Sequence, residues 1–379
     1  MMKRTLLVLL AFLLSVQTAL ALDLPPPPPP QLDASAWLLL DLSSNQILDS
    51  ANADSRIEPA SLTKLMTAYL VFSALQQGAL KLTDTVEPSV HAWQTGGSRM
   101  FINPGKPVSV DDLLHGMIVQ SGNDATVALA ERLGGSEPGF VVMMNKAAAQ
   151  LGMNHTHFVT ATGLPDPQHY TTARDLATLT AAIIREFPQY MPLFSIREYR
   201  YNNITQANRN RLLWSDPSVD GMKTGHTEGA GYCLIATAHR GERRLISVVL
   251  GTPTDALRAS ESQKLLNYGF QFFDGIRLYR ANQPITQLKV WRGKSAMVNA
   301  GFTHDITLSV PHGQAHLLTT RLTTRQPLLA PLTAGQTIGT LTVSLQGKVL
   351  AQYPLQALNN VPVASALGRA WDSLMLMFH

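Results

Sequence analysis

The apolar residues of this 379-residue chain change their pattern near residue 274, and that change constrains the fold more than any other feature. Before it, stretches with apolar residues at helical spacing alternate with short apolar runs; after it, short alternating segments run to about Val361, ahead of a last helical stretch. Helical and strand periods cannot be exchanged without exposing the apolar face, so two differently built units are expected. In the first, Trp37 to Asp41 reads as a buried strand, and Ser43-Ser44-Asn45 turns it into a second strand around Ile47. Pro59-Ala60-Ser61 opens a buried helix carrying Leu62, Leu65, Met66, Tyr69, Leu70 and Phe72, which Gly78 ends. Further helices are expected at 110–120, 123–133, 138–151 and 173–186. Strands at 231–239 and 244–250 are joined by a hairpin at Arg240-Gly241-Glu242, and Ser260 to Phe273 reads as a closing helix. In the second unit the segments Ile306–Val310, His316–Leu322 and Thr337–Leu345, separated by turn signals at Pro311-His312-Gly313 and Ala334-Gly335, describe a small all-β sandwich.

The N-terminus carries Lys3 and Arg4, an apolar run from Leu6 to Leu14 and Ala19-Leu20-Ala21, the pattern of an export signal over residues 1–21. Six prolines, Pro25 to Pro30, make residues 22–36 a stiff linker with no core-forming capacity. The expected divisions are then 37–274 for the first unit, 280–361 for the sandwich and 363–379 for a terminal amphipathic helix. On that helix Leu367, Ala370, Trp371, Leu374, Met375 and Phe378 share one face.

Composition excludes several classes. With 45% hydrophobic and 15% charged residues the chain has ample core material and is not intrinsically disordered. Apart from its first twenty or so residues it has no apolar run long enough to span a bilayer. The single cysteine, Cys233, rules out an intramolecular disulfide framework and a Cys-rich zinc module, and in its apolar strand it reads as a small buried hydrophobe. His155 and His157 lack a third ligand motif, so they read as packing or capping residues, and no metal or cofactor is expected. Net charge is +4. Residues 281–361 hold six Lys and Arg against one acid, Asp305, but no nucleic-acid-binding motif.

Three short motifs carry chemistry. Ser61-Leu62-Thr63-Lys64 places an amine one helical turn from a hydroxyl. Serine becomes a nucleophile only when a base takes its proton, and lysine serves as that base once burial or a nearby cation lowers its pKa. Ser121-Gly122-Asn123 stands at the mouth of the helix expected at 123, where the hydroxyl can relay a proton and the amide can hold a substrate carbonyl; alone it reads as a helix cap. Lys223-Thr224-Gly225 precedes the strand expected at 231, read as an edge strand. It supplies a cation and a hydroxyl for a carboxylate, with a glycine that lets substrate backbone lie close; alone it is a surface turn.

In this order and context the three resemble the signature of the penicillin-binding proteins and class A β-lactamases. The segments Ile57 to Thr67, Gln120 to Ala125 and Asp220 to Thr227, with Tyr170 to Asp175 and Asn208-Arg209-Asn210, are similar to the low-molecular-mass penicillin-binding proteins, the serine-type D-alanyl-D-alanine carboxypeptidases. Ala125 departs from relatives that carry cysteine there. The resemblance implies an α/β serine-transpeptidase-like domain, an antiparallel sheet flanked by helices, followed by the β-rich unit and a C-terminal helix on the membrane surface. It implies Ser61 as acylated nucleophile, Lys64 as base and Ser121 as proton relay. Asn123 would orient the substrate, Lys223, Thr224 and Arg209 would meet its terminal carboxylate, and the N–H groups of Ser61 and His226 would form the oxyanion hole beside Gly225. The implied substrate is a peptidoglycan stem pentapeptide, with β-lactams as inhibitors, at the periplasmic face of the inner membrane; no nucleic acid is implied. Three alternatives share the motifs: a DD-endopeptidase, a class A β-lactamase and a non-catalytic wall-binding scaffold. The β-lactamase needs a glutamate to activate water, and only Glu198 with Asn202 has a fitting spacing, 25 residues before Lys223.

Overall fold

The computed structural model describes residues 27–378; the expected export signal lies outside the described residues. Five antiparallel strands form the central sheet of the first unit: β1 (Ala36–Asp41), β2 (Gln46–Ala51), β3 (Val219–Thr227), β4 (Gly231–Arg240) and β5 (Arg243–Thr252), in the order β2-β1-β5-β4-β3. Strand β1 is buried along its whole length because both faces of the sheet are covered. Leu38 and Leu40 point to one core with Ile235, Ile246 and Val248. Trp37 and Leu39 point to the other with Leu234, Leu245 and Val249.

The larger core is closed by α1 (Lys64–Gln76), α2 (Val110–Ile118), α3 (Asn123–Gly134), α4 (Glu137–Gln150) and α5 (Ala173–Glu186). On the opposite face lies α6 (Asp255–Phe272), which buries Leu265, Leu266 and Tyr268. It starts five residues before the expected Ser260, because Thr254 Oγ1 accepts from Leu257 N and caps the turn that begins at Asp255. The edge of the sheet is also reassigned. Strand β4, expected at the edge, is interior, and the edge is β3, which contains Lys223-Thr224-Gly225. The polar composition of β3 hid it; its register with β4, Lys223 opposite Ile235 and Gly225 opposite Cys233, holds it extended.

Strand β6 (Phe273–Tyr279) follows α6 without a break, ahead of the segments read as strands from sequence. The β-rich unit continues with β7 (Thr286–Trp291), β8 (Met297–Gly301), β9 (Ile306–Pro311), β10 (Leu318–Thr324), β11 (Leu328–Leu329), β12 (Thr337–Leu345) and β13 (Lys348–Ala357). The two-stranded pair β6-β9 and the six-stranded sheet β10-β12-β13-β8-β7-β11 enclose a core of Val298, Ile306, Leu308, Val310, Leu341, Val343 and Leu355. A buried polar knot joins the two units. The Asp41 carboxylate accepts from Arg243 Nε (2.7 Å), Ser309 Oγ (2.7 Å) and Ser43 N (2.9 Å). Helix α7 (Ala366–Met375), followed by a short turn over Leu376–Phe378, ends the described chain, and Asp372 on its polar side accepts from Arg292 N at 2.5 Å. Among the described residues no helix is long and apolar enough to cross a membrane.

Candidate active site

The three motifs meet in one cleft of about 470 Å³ between β3, the start of α1 and the start of α3. Residues Ala60–Thr63 form a tight turn ahead of α1, and Ser61 lines the cleft. Lys64 follows on the first turn of α1, almost wholly buried, with Nζ 2.9 Å from Ser61 Oγ and 2.8 Å from the carbonyl oxygen of Thr162. Burial first, and the Arg209 charge second, push its pKa down to about 7, with Asp124 opposing the shift.

A second serine–lysine pair faces the first. Ser121 has a positive φ of 64°, a costly conformation for a residue with a Cβ, in the corner between α2 and α3. Its Oγ accepts from Lys223 Nζ at 2.9 Å, and the same nitrogen donates to the carbonyl of Thr224 at 3.0 Å. Lys223 is 3% exposed and does not line the cleft, so its amine is engaged with Ser121 rather than open to a substrate carboxylate. Burial, then Lys64, Arg209 and Arg258, hold its pKa well below the usual lysine range.

The corner is held open by its neighbours. Asp124 accepts from the backbone N–H groups of Met100 (2.9 Å), Phe101 (2.8 Å) and Ile102 (3.2 Å), tying residues 97–102 over the mouth of α3. Asn123 donates from Nδ2 to Gly96 O at 2.7 Å, leaving Oδ1 buried without a hydrogen-bond partner. Asn123 itself lines the cleft. Gly225 lines the cleft and has a packing role as well. A Cβ there would lie 3.2 Å from Pro59 O and from Leu62 Cγ, so the glycine lets β3 close against the Ser61 turn.

Thr224, His226 and Arg209 line the cleft as expected. The Arg209 loop is fixed by its flanking asparagines: Asn210 Nδ2 donates to Gly221 O, and Asn208 Nδ2 to Ile196 O, both at 3.0 Å. Sequence reasoning missed Arg258, a 5%-exposed arginine in the first turn of α6. It donates to Gly225 O (3.3 Å) and Arg209 O (3.5 Å), lies over the Tyr232 ring and pairs with Asp255, which also binds Arg211. The Thr254-Asp255 cap was the signal that would have placed it inside a helix. Glu198 is exposed on a peripheral hairpin and does not line the cleft. His157 Nδ1 is bonded to Gln168 O at 2.7 Å, and Cys233 is buried with its thiol pushed up to about 11 by burial.

A sheet with a Ser-Lys nucleophile turn, a Ser-x-Asn corner and a Lys-Thr-Gly edge strand defines an acyl-transferring serine enzyme of the penicillin-recognising class. Residues 25–254 match the D-alanyl-D-alanine carboxypeptidase family, and residues 273–363 match the C-terminal domain of penicillin-binding protein 5. The chain belongs to the family of low-molecular-mass penicillin-binding proteins that are serine D-alanyl-D-alanine carboxypeptidases. It is 45% identical to D-alanyl-D-alanine carboxypeptidase DacC of Escherichia coli (strain K12), over 92% of this chain and 89% of that protein. Among solved structures it resembles penicillin-binding protein 5 of Haemophilus influenzae, at TM-score 0.86 and 43% identity, covering 89% of this chain and 99% of the other. It also resembles ampicillin-bound penicillin-binding protein D2 of Listeria monocytogenes, at TM-score 0.60 and 34% identity, covering 64% and 100%.

Proposed function

We propose that this chain removes the terminal D-alanine from peptidoglycan stem pentapeptides through an ester on Ser61, and that β-lactams acylate the same oxygen. The observation that carries the reading is the 2.9 Å contact of Ser61 Oγ with a buried lysine whose pKa lies near 7. Neutral Lys64 takes the Ser61 proton as Oγ attacks the penultimate carbonyl. Backbone N–H groups at Ser61 and on the edge strand at His226 receive the developing oxyanion. Arg209 and Thr224 hold the terminal carboxylate, and Asn123, which lines the same cleft, orients the substrate. Ser121, bonded to Lys223, relays the proton that Lys64 took from Ser61 on to the departing D-alanine nitrogen, which leaves Lys64 neutral for the second step. Water, deprotonated by Lys64, then cleaves the ester and restores Ser61. Exposed Glu198 lies off the cleft, which argues against the glutamate-dependent water of a class A β-lactamase.

The catalytic unit spans 37–274 and the β-rich unit 280–361 spaces it from an anchor at 363–379. Leu367 is 85% exposed and Trp371 64% exposed, while Asp372 on the polar side is held by Arg292. An outward apolar face beside Lys294 and Arg369 suits the interface of an anionic membrane, at its periplasmic side. The deciding experiment is mass spectrometry of the protein incubated with penicillin and, separately, with a pentapeptide ending in D-Ala-D-Ala. The adduct must map to Ser61 and be absent in Ser61→Ala, and the peptide must lose one alanine. A label on Ser121 would overturn the assignment.

A further inference from the structure

Lys64 has two polar contacts, Ser61 Oγ and the Thr162 carbonyl, and only the first belongs to a motif. Thr162 lies in the turn 159–163, whose position depends on a residue that no part of the mechanism uses. His169 is 2% exposed, and its two nitrogens face different elements. Nδ1 accepts from the backbone N–H groups of Val159 (3.3 Å) and Thr160 (3.4 Å). An imidazole nitrogen that accepts carries no proton, so Nε2 bears the hydrogen and donates to Thr63 Oγ1 at 3.0 Å. Thr63 is the residue before Lys64 and is fully buried. One ring therefore ties the turn that supplies the Thr162 carbonyl to the turn that supplies the nucleophile.

The surroundings leave little slack. Thr160 Oγ1 accepts from Gly163 N at 3.0 Å, closing the 160–163 turn. At Gly163 a Cβ would stand 1.8 Å from Ala60 O and 2.7 Å from Thr63 Oγ1, so the two turns are in backbone contact where His169 joins them. The Phe158 ring meets the imidazole edge-on at 5.7 Å.

We propose that His169 is a positioning residue for acylation: it clamps the 159–163 turn to Thr63 and so fixes the Thr162 carbonyl on Lys64 and keeps water from the lysine. Burial pushes the His169 pKa down to about 4, against Asp166, which raises it, and with His157, which lowers it. The ring therefore stays neutral across the working range and keeps its acceptor nitrogen. The inference rests on the assignment of Ser61 and Lys64 above.

The test uses the full chain and the rate of Ser61 acylation by a fluorescent penicillin, measured from pH 5.5 to 9.5 and normalised to protein that acylates to completion. His169→Phe keeps an aromatic ring against Phe158 and loses both polar contacts. The expected result is a rate at least about tenfold lower at pH 8, with the acid limb moved to higher pH. The limb moves up because burial is the largest cause of the low Lys64 pKa, and a loosened turn admits water. His169→Gln, which can accept with its carbonyl and donate with its amide, is expected to restore part of the rate and return the limb. A purely structural role would lower Tm and the acylating fraction while leaving the normalised rate and the limb in place, and either quantity unmoved overturns the proposal. Should His169→Phe not fold, Thr63→Val removes the same contact from the other side and is expected to shift the limb in the same sense; an unmoved limb again overturns it. Failure of the wild-type chain to acylate at Ser61 would instead refute the underlying assignment.

Discussion

The pH dependence of acylation is the sharpest consequence of the site's geometry. In the proposed mechanism Lys64 takes the Ser61 proton only as the free amine, so the rate should follow its neutral fraction. With a pKa of about 7, that fraction is about 0.9 at pH 8 and about 0.03 at pH 5.5. Acylation by a fluorescent penicillin should therefore fall roughly 30-fold between those values, with a break near pH 7 and a plateau above pH 8. An ordinary lysine, near 10.4, would give a rate still climbing tenfold per unit through pH 9, with no plateau and roughly a 300-fold fall over the same interval. The perturbation that tests the cause is Arg209→Gln. Arg209 is the second contributor to the depression, after burial, so its removal should raise the Lys64 pKa and carry the break upward. The same change should raise KM for peptide if Arg209 holds the substrate carboxylate. Stopped-flow acylation with wild type and variant reads both quantities. A line of unit slope through pH 9 in the wild type, or a break that moves down in Arg209→Gln, would refute the reasoning.

Three further outcomes follow from single contacts. Gly163→Ala puts a Cβ 1.8 Å from Ala60 O at a φ of +83°, so it should displace the nucleophile turn, and intact folding with wild-type acylation would contradict this contact. Asp41→Ala leaves Arg243, only 13% exposed at its side chain, without its carboxylate and should cost about 3 kcal/mol or more in denaturant unfolding, with Ser309→Ala costing about 1 kcal/mol. Truncation at Val363 removes the exposed Leu367 and Trp371 and should release the protein from anionic vesicles while leaving activity on small peptides unchanged; co-sedimentation equal to that of the full chain would exclude the helix as anchor.

Most of the first unit was legible because its elements carry strong local signals. The helix at 173–186 and the strand pair around Gly241 emerge close to where periodicity and the turn glycine place them. Strand β3 was not legible, since Asp220-Gly221 and Lys223-Thr224-Gly225 have no apolar alternation and become a strand only by pairing with β4. At the site, Ser61, Lys64, Ser121 and Asn123 could be chosen once the three motifs were read together in their order. The partner of Lys223 could not, because Ser121 is 102 residues away and meets it only when β3 packs against the α3 corner. Arg258 and His169 were invisible for a related reason: each reaches the site largely through backbone atoms, of Gly225 and Arg209 or of Val159 and Thr160, and no motif names either residue.

The distribution of charge around the cleft bears on why the same oxygen that turns over peptide should be trapped by a β-lactam. Arg209 and Arg258 line the cleft, with Lys64 and Lys223 buried behind it, and the nearest carboxylates are already committed. Asp124 is bound by backbone N–H groups, and Asp255 by Arg211 and Arg258. Among the described residues the only carboxylate lining the cleft is Asp255, which is paired with arginine, so in the proposed mechanism deacylation falls to the same buried Lys64 that serves acylation. With peptide, the leaving D-alanine departs and opens its half of the cleft, so water can reach the ester beside Lys64. With a β-lactam, the nitrogen expelled from the carbonyl stays covalently attached to the acyl group and occupies that half, next to Arg209 and Thr224. On the proposed mechanism water is then kept from Lys64, and the acyl-enzyme is expected to persist.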